Sequence, residues 1–174
     1  MEQTKRLSRS KSAPVLIAVL AVLLLIAFKY AAASSPLSEV SKELGVELPA
    51  AAQILSGGDE HGGFHGDGRA WYEIDTADAA FDPLPEGWNP LPLSEDARTA
   101  FYGSTVTVDG TETTILPSIP EGAALPEVTN GCWFFLDRQG TEGSVFDESR
   151  FSVNFTAALY DADTGILYYL KLDT

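Results

Sequence analysis

The chain has 174 residues, 45% of them apolar, and a formal charge of −14. Beyond residue 33 the imbalance steepens, because every acidic residue but Glu2 lies there: 24 acidic residues against six basic ones, a formal −18. Such a field repels nucleic acid and anionic headgroups and favours solubility, cationic partners or diffuse divalent cations. The single cysteine, Cys132, cannot close an intramolecular disulfide, so core packing must hold the domain together.

Residues 13–28, from Ala13 to Phe28, form an unbroken apolar run directly behind Lys5, Arg6, Arg9 and Lys11. Basic flanks hold that end in the cytoplasm, so the rest of the chain is expected on the other side of the membrane. As a helix the run rises about 24 Å, short of a hydrocarbon core of roughly 30 Å, which fits a removable signal peptide. Ala31-Ala32-Ala33 before Ser34 offers the small-residue pattern of a cleavage site. Lys29 and Tyr30 fit the other outcome, since a snorkelling lysine and an interfacial tyrosine extend the span to 13–33, long enough to cross. The expected organisation is a cytoplasmic basic segment at 1–12, a transmembrane anchor or signal peptide at 13–33, and one extracytoplasmic domain at 34–174. Cleavage after Ala33 would make that domain a secreted one.

After a polar stalk at 34–36, Leu37, Val40 and Leu44 share one helical face, and Gly45 ends the helix. Pro49 prevents continuation. A first strand is expected over Ala51 to Leu55, then a glycine-dense loop from Gly57 to Gly68, then a strand from Arg69 to Ile74. Pro83, Pro85, Pro90 and Pro92 confine regular structure between 76 and 93 to a turn after Thr76. Ser94 followed by Glu95 and Asp96 is an N-cap with a favourable charge on the helix dipole, and Gly103 a C-terminal stop, which predicts a helix over 95–102.

Thr105 to Val108 reads as a short strand, and the proline-broken stretch from there to Asn130 as a long surface connection. Cys132 to Leu136 is apolar on both faces and predicts a central strand in the core. Phe151, Val153, Phe155, Ala157 and Leu159 alternate with polar residues, and a turn precedes Ile166 to Leu172, predicting a C-terminal β-hairpin. The fold class is therefore α+β: a mostly antiparallel sheet with about two short helices, preceded by the N-terminal helix.

Chemistry concentrates in the loop from Gly57 to Gly68, which carries both histidines and six glycines. Imidazole and carboxylate together serve as zinc ligands or as a proton-transfer pair, so His61, His65 and Asp67 are the candidate metal ligands, with zinc the cofactor implied. The spacing alone does not select metal binding, because His-x-x-x-His converges only on a helix and these glycines oppose one. A tight loop whose side chains bond the backbone is the alternative. Phosphate cradling is disfavoured by Asp59, Glu60 and Asp67.

Elsewhere, Asp161-Ala162-Asp163-Thr164-Gly165 begins like a calcium loop, but glycine stands at position five rather than six; the same residues suit a hairpin turn. Asn154-Phe155-Thr156 matches a glycosylation acceptor in mid-strand. Cys132 sits in an apolar run that keeps a thiol inert, and no serine has a G-x-S-x-G setting. Trp71, Trp88, Trp133, Tyr168 and Tyr169 suit either a ligand groove or core filling.

His-Gly-Gly-Phe-His-Gly-Asp-Gly at 61–68, Gly-Trp-Asn-Pro-Leu-Pro-Leu at 87–93, Phe-Phe-Leu-Asp-Arg at 134–138 and the Phe-Ser-Val-Asn-Phe-Thr to Leu-Tyr-Tyr ending together resemble a group of small uncharacterised bacterial exported or membrane-anchored proteins. The resemblance covers most of 37–174 and implies a bacterial source and one coherent domain. It carries no activity and gives no residue a role.

The expectation is a membrane-anchored extracytoplasmic domain, non-enzymatic, acting in binding or envelope structure. Its partners would be the bilayer through 13–33 and a protein of the envelope. The alternative is a metal-binding protein or metal-dependent hydrolase using His61, His65 and Asp67.

Overall fold

The computed structural model describes residues 20–22, 35–62, 66–77, 81–108, 110–123, 125–140 and 142–174. Contacts divide the chain into two units, Met1–Glu39 and Val40–Thr174. The basic segment at 1–12 lies outside the described residues, as does the apolar span 13–33 except at 20–22, which are helical. Among the described residues no helix is long and apolar enough to cross a membrane.

Helix α1 (Pro36–Leu44) starts where Ser35 accepts the Ser38 N–H on Oγ and the Glu39 N–H on its carbonyl, with proline at the first helical position. Val40 and Leu44, one turn apart, are fully buried, and Gly45 ends the helix with a φ of 63°. Helix α2 (Glu95–Tyr102) also follows the expected punctuation. Ser94 Oγ accepts the Ala97 N–H at 3.2 Å, and Gly103, at φ 75°, donates its N–H to the Thr99 carbonyl.

Among the described residues the main sheet has six antiparallel strands in the order β1 (Gln53–Asp59), β2 (Gly68–Asp75), β8 (Ile166–Asp173), β7 (Phe155–Asp161), β6 (Gly131–Asp137) and β3 (Trp88–Pro90). A separate hairpin pairs β4 (Ser104–Val108) with β5 (Thr111–Ile115). This is the α+β architecture expected, with β7 and β8 as the C-terminal hairpin.

Both faces of the sheet are covered. On one face Trp71, Phe155, Ala157, Leu159, Tyr168 and Leu170 form a core with Ala100 and Phe101 of α2 and with Val128 and Val145 from the connections. On the other, Tyr72 stacks on Tyr169, and Phe81 lies 4.1 Å from Tyr160 and 4.9 Å from Trp88, ring centre to centre. Trp88 Nε1 donates to the Leu44 carbonyl, tying β3 to the end of α1.

Several expectations are corrected. The first strand runs from Gln53 to Asp59 rather than 51–55, because pairing with β2 carries Gly57 and Gly58 into the ladder, with a bulge between Ile54 and Ser56. The proline-rich stretch contains β3, at a sheet edge where Pro90 leaves no inner ladder short of a donor. The long connection contains β5. Strand β6 is next to the edge rather than central, and only Cys132 of it is fully buried; the middle of the sheet is β7 and β8.

Strand β7 begins at Phe155, and Phe151 is fully exposed. Of the polar residues expected to alternate, Ser152 and Asn154 are half-buried and precede the strand, while Thr156 within it is buried, as is Ala158 on the same face. Tyr168, Tyr169, Trp71 and Trp88 fill the core, and Trp133, half-buried, donates its Nε1 to the Pro90 and Pro92 carbonyls.

Candidate functional site

The loop between β1 and β2 departs from the sheet at Glu60, whose N–H still donates to the Arg69 carbonyl. At its neck Gly68 faces His61 so closely that a Cβ there would lie 2.4 Å from the His61 Cα. Only a residue without a side chain lets the two arms approach this way. His61 is thereby set beside the end of β8.

Its imidazole lies between two carboxylates. Nδ1 is 2.5 Å from Asp59 Oδ1, which also accepts the His61 backbone N–H at 2.8 Å. Nε2 is 3.2 Å from Asp173 Oδ2, within ion-pair range but off the line of a hydrogen bond, and that nitrogen is enclosed. Asp173 in turn binds the Arg138 guanidinium at 2.7 Å, and Arg138 also donates to the carbonyls of Phe155 and Leu172. Next to it Glu43 of α1 accepts from Lys171 Nζ and from Tyr169 Oη, each at 2.5 Å.

Asp59, His61, Asp173, Arg138, Lys171 and Glu43 therefore form an ionic corner where α1 and the ends of β1, β6 and β8 meet. Burial raises the Glu43 carboxyl, but the hydrogen bonds from Lys171 and Tyr169 and the charges of Lys171 and Arg138 outweigh it and hold it below its usual range. Asp59 is likewise lowered: slight burial opposes the shift, and the backbone and side-chain hydrogen bonds from His61 with its charge prevail.

Of the three candidate ligands, His65 lies outside the described residues. His61 presents both ring nitrogens to carboxylates, while a zinc ligand needs one nitrogen lone pair turned to the metal. Asp67 is exposed, and its carbonyl accepts the Gly62 N–H across the loop. Among the described residues no group of three histidine, cysteine or acidic side chains is arranged to hold a metal ion. Sequence reasoning found His61 and the acidic loop around it but missed Asp173, Arg138 and Glu43. The period-two alternation that puts Tyr169, Lys171 and Asp173 on one face of β8 was the available signal.

The other sequence candidates resolve into structure. Asp161 is buried; its carboxylate accepts the Asp163 N–H and the Thr164 hydroxyl, and its carbonyl accepts the Gly165 N–H. That is the β7–β8 turn, with Asp161 turned to its own loop and Asp163 accepting from Asn130 Nδ2 at 2.6 Å. Asn154 Oδ1 accepts the Thr174 N–H, and Phe155 beside it is fully buried. Burial pushes the Cys132 thiol up to about 11, which leaves little thiolate for nucleophilic chemistry.

Among the described residues of the Val40–Thr174 unit, concavities open at two places of note. A groove of about 470 Å³ runs over Gly57 and Gly58, bordered by Glu60, Arg69, Glu73 and Glu121. Arg69 is held in its wall by the Glu60 carboxylate and the Ser118 and Ile119 carbonyls. A second pocket, about 420 Å³, lies between α2, the β4–β5 hairpin and the 144–148 loop, and its lining is mainly apolar. Compared with family models, curated proteins and solved structures, the chain matches none.

Proposed function

We propose that this chain is a bacterial envelope protein in which 13–33 engage the bilayer, 1–12 stay in the cytoplasm, and the domain after residue 33 works outside by binding rather than catalysis. The observation that carries the reading is the uninterrupted apolar run 13–28 behind Lys5, Arg6, Arg9 and Lys11. The binding half draws support from two features. The histidine in the loop that most resembled a reactive centre has its ring nitrogens against Asp59 and Asp173, and an apolar-lined pocket stands open elsewhere.

A reporter enzyme fused after Thr174 tests the topology. Digestion of the reporter by protease added to intact spheroplasts is the expected result; protection would invert the topology and remove the proposal. Turnover by the purified chain, abolished by His61→Gln, would remove the binding half alone.

A further inference from the structure

The pocket between α2, the β4–β5 hairpin and the 144–148 loop is built from the helix outward. Asp96, in the first turn of α2, accepts the Ser144 hydroxyl and the Val145 N–H, fastening the loop across the helix N-terminus. The loop is closed on itself by Asp147 N–H to the Ser144 carbonyl and by Ser149 N–H to Asp147. Val145 is fully buried beneath it, and Phe146 packs edge-on against Phe155 at 5.7 Å.

The opposite wall is the hairpin, brought close by Gly103, where a Cβ would stand 2.6 Å from the Ile115 carbonyl. The two walls are thus anchored on the core from both sides, and the space between them does not depend on a free loop.

Val106, Ile115 and Phe146, all half-buried, supply the apolar part of the lining, with the hydroxyls of buried Thr99 and half-buried Ser104 among them, whereas Glu95, Asp147 and Glu148 are exposed and supply the charge at the rim. On this side Arg150 pairs with Asp137 at 2.7 Å and donates to the Ser144 carbonyl, and its charge also acts on the Asp147 carboxyl. A mainly apolar lining under a negative rim is complementary to a molecule with the opposite arrangement, an apolar body carrying a positive head.

We infer that this pocket binds a small organic cation, a primary ammonium on an apolar alkyl or aryl-alkyl body, with the body on Val106, Ile115 and Phe146 and the ammonium toward Glu95, Asp147 and Glu148. The inference names the ligand class for the binding reading and rests on that half of it, not on the topology. Neutral molecules of the same shape would keep the apolar contact and lose the rim, and anions would be repelled by a domain of such negative charge.

The test uses the full chain in a neutral detergent, isotopically labelled, with 2-phenylethylammonium as the probe and 2-phenylethanol as its uncharged counterpart. The expected result is saturable amide shifts at Val106, Ile115 and Phe146 with the amine, weaker binding by the alcohol, and loss of affinity as salt rises. The double variant Glu95→Gln/Glu148→Gln should weaken the amine by about three- to tenfold and leave the alcohol unchanged, since exposed charges each contribute modestly.

Thr113→Trp, an exposed position in the lining, should block both probes while leaving the other amides unshifted. Equal binding of amine and alcohol would overturn the assignment of a cation, and an absence of shifts at the pocket would overturn the site. Both outcomes leave the reporter result untouched, so failure here is distinguishable from failure of the topology.

Discussion

The β7–β8 hairpin and the β1–β2 hairpin are joined through one strand pair, yet they are held by different forces. From Phe155 to Leu159 every residue of β7 is buried, and so are Leu167 to Leu170 of β8, because both faces of the sheet's middle are covered. Strand β1 is exposed over most of its length, and its tip is fastened by carboxylates, His61 and glycines that permit close approach. Apolar burial is worth about 25 cal/mol per Å² regardless of direction, whereas ion pairs at half-exposed sites contribute about 1 kcal/mol or less. The middle hairpin is therefore expected to carry stability, and the edge hairpin to carry local order.

The largest effect should come from the middle. Leu170 is fully buried in the core beside Trp71, Phe101 and Leu159, so Leu170→Ala removes packed atoms and leaves a cavity. A loss of about 2–5 kcal/mol is expected in denaturant unfolding. A loss below about 1 kcal/mol would mean that this hairpin is not the centre of the core.

Adjacent glycines separate backbone approach from side-chain space. A Cβ on Gly57, at φ 114°, would sit 1.9 Å from the Trp71 carbonyl oxygen, while one on Gly58 would meet nothing within 4 Å. Gly57→Ala should cost about 2 kcal/mol or more, whereas Gly58→Ala should be neutral or stabilise by up to about 1 kcal/mol through the unfolded chain. Equal unfolding midpoints for the two variants would contradict the close pairing of β1 with β2.

These differences track what the sequence alone made legible. Local signals were sufficient where one residue decides an element: Ser94 and Gly103 bound α2, Gly45 ends α1, and the alternation read from Phe151 located the hairpin, although the strand itself starts at Phe155. They misled where the deciding contact is distant. Thr156 counted among the polar residues alternating with an apolar face, yet it is buried, because alternation reports periodicity and not whether a second layer covers the sheet.

Trp88–Pro90 was hidden by its prolines, which an edge strand tolerates, and β5 by the surrounding breakers. Of the candidate site, the composition of the 57–68 loop was visible, but Asp173 and Arg138 reach His61 only through the strand order β1-β2-β8-β7-β6.

Smaller still is the contribution of Glu43, and it should depend on pH. Its carboxyl is lowered in the folded state, so between the folded value and the usual glutamate range the unfolded chain binds the extra proton. The stabilisation is complete above that range and is lost as the pH falls through the folded value. Glu43→Gln should cost about 1–2 kcal/mol near neutrality, and the gap to the native chain should close in acid. A gap of constant size down to low pH would show that Lys171 and Tyr169 do not depend on the Glu43 charge.

His61→Gln should have the smallest effect on stability, below about 1 kcal/mol, because Asp59 is half-exposed and solvent screens the pair. Its local effects are sharper. The backbone hydrogen bond from residue 61 to Asp59 survives the change, while the ring's hydrogen bond and charge do not. The Asp59 carboxyl, followed by carbon NMR through an acid titration, should therefore move part of the way back toward the usual aspartate range.

Exchange of the Gly62 amide, which donates to the Asp67 carbonyl, should quicken at the same time. An Asp59 titration unchanged by the substitution would mean that the backbone contact alone holds that carboxylate. The imidazole would then not be what fastens the glycine loop to the end of β8.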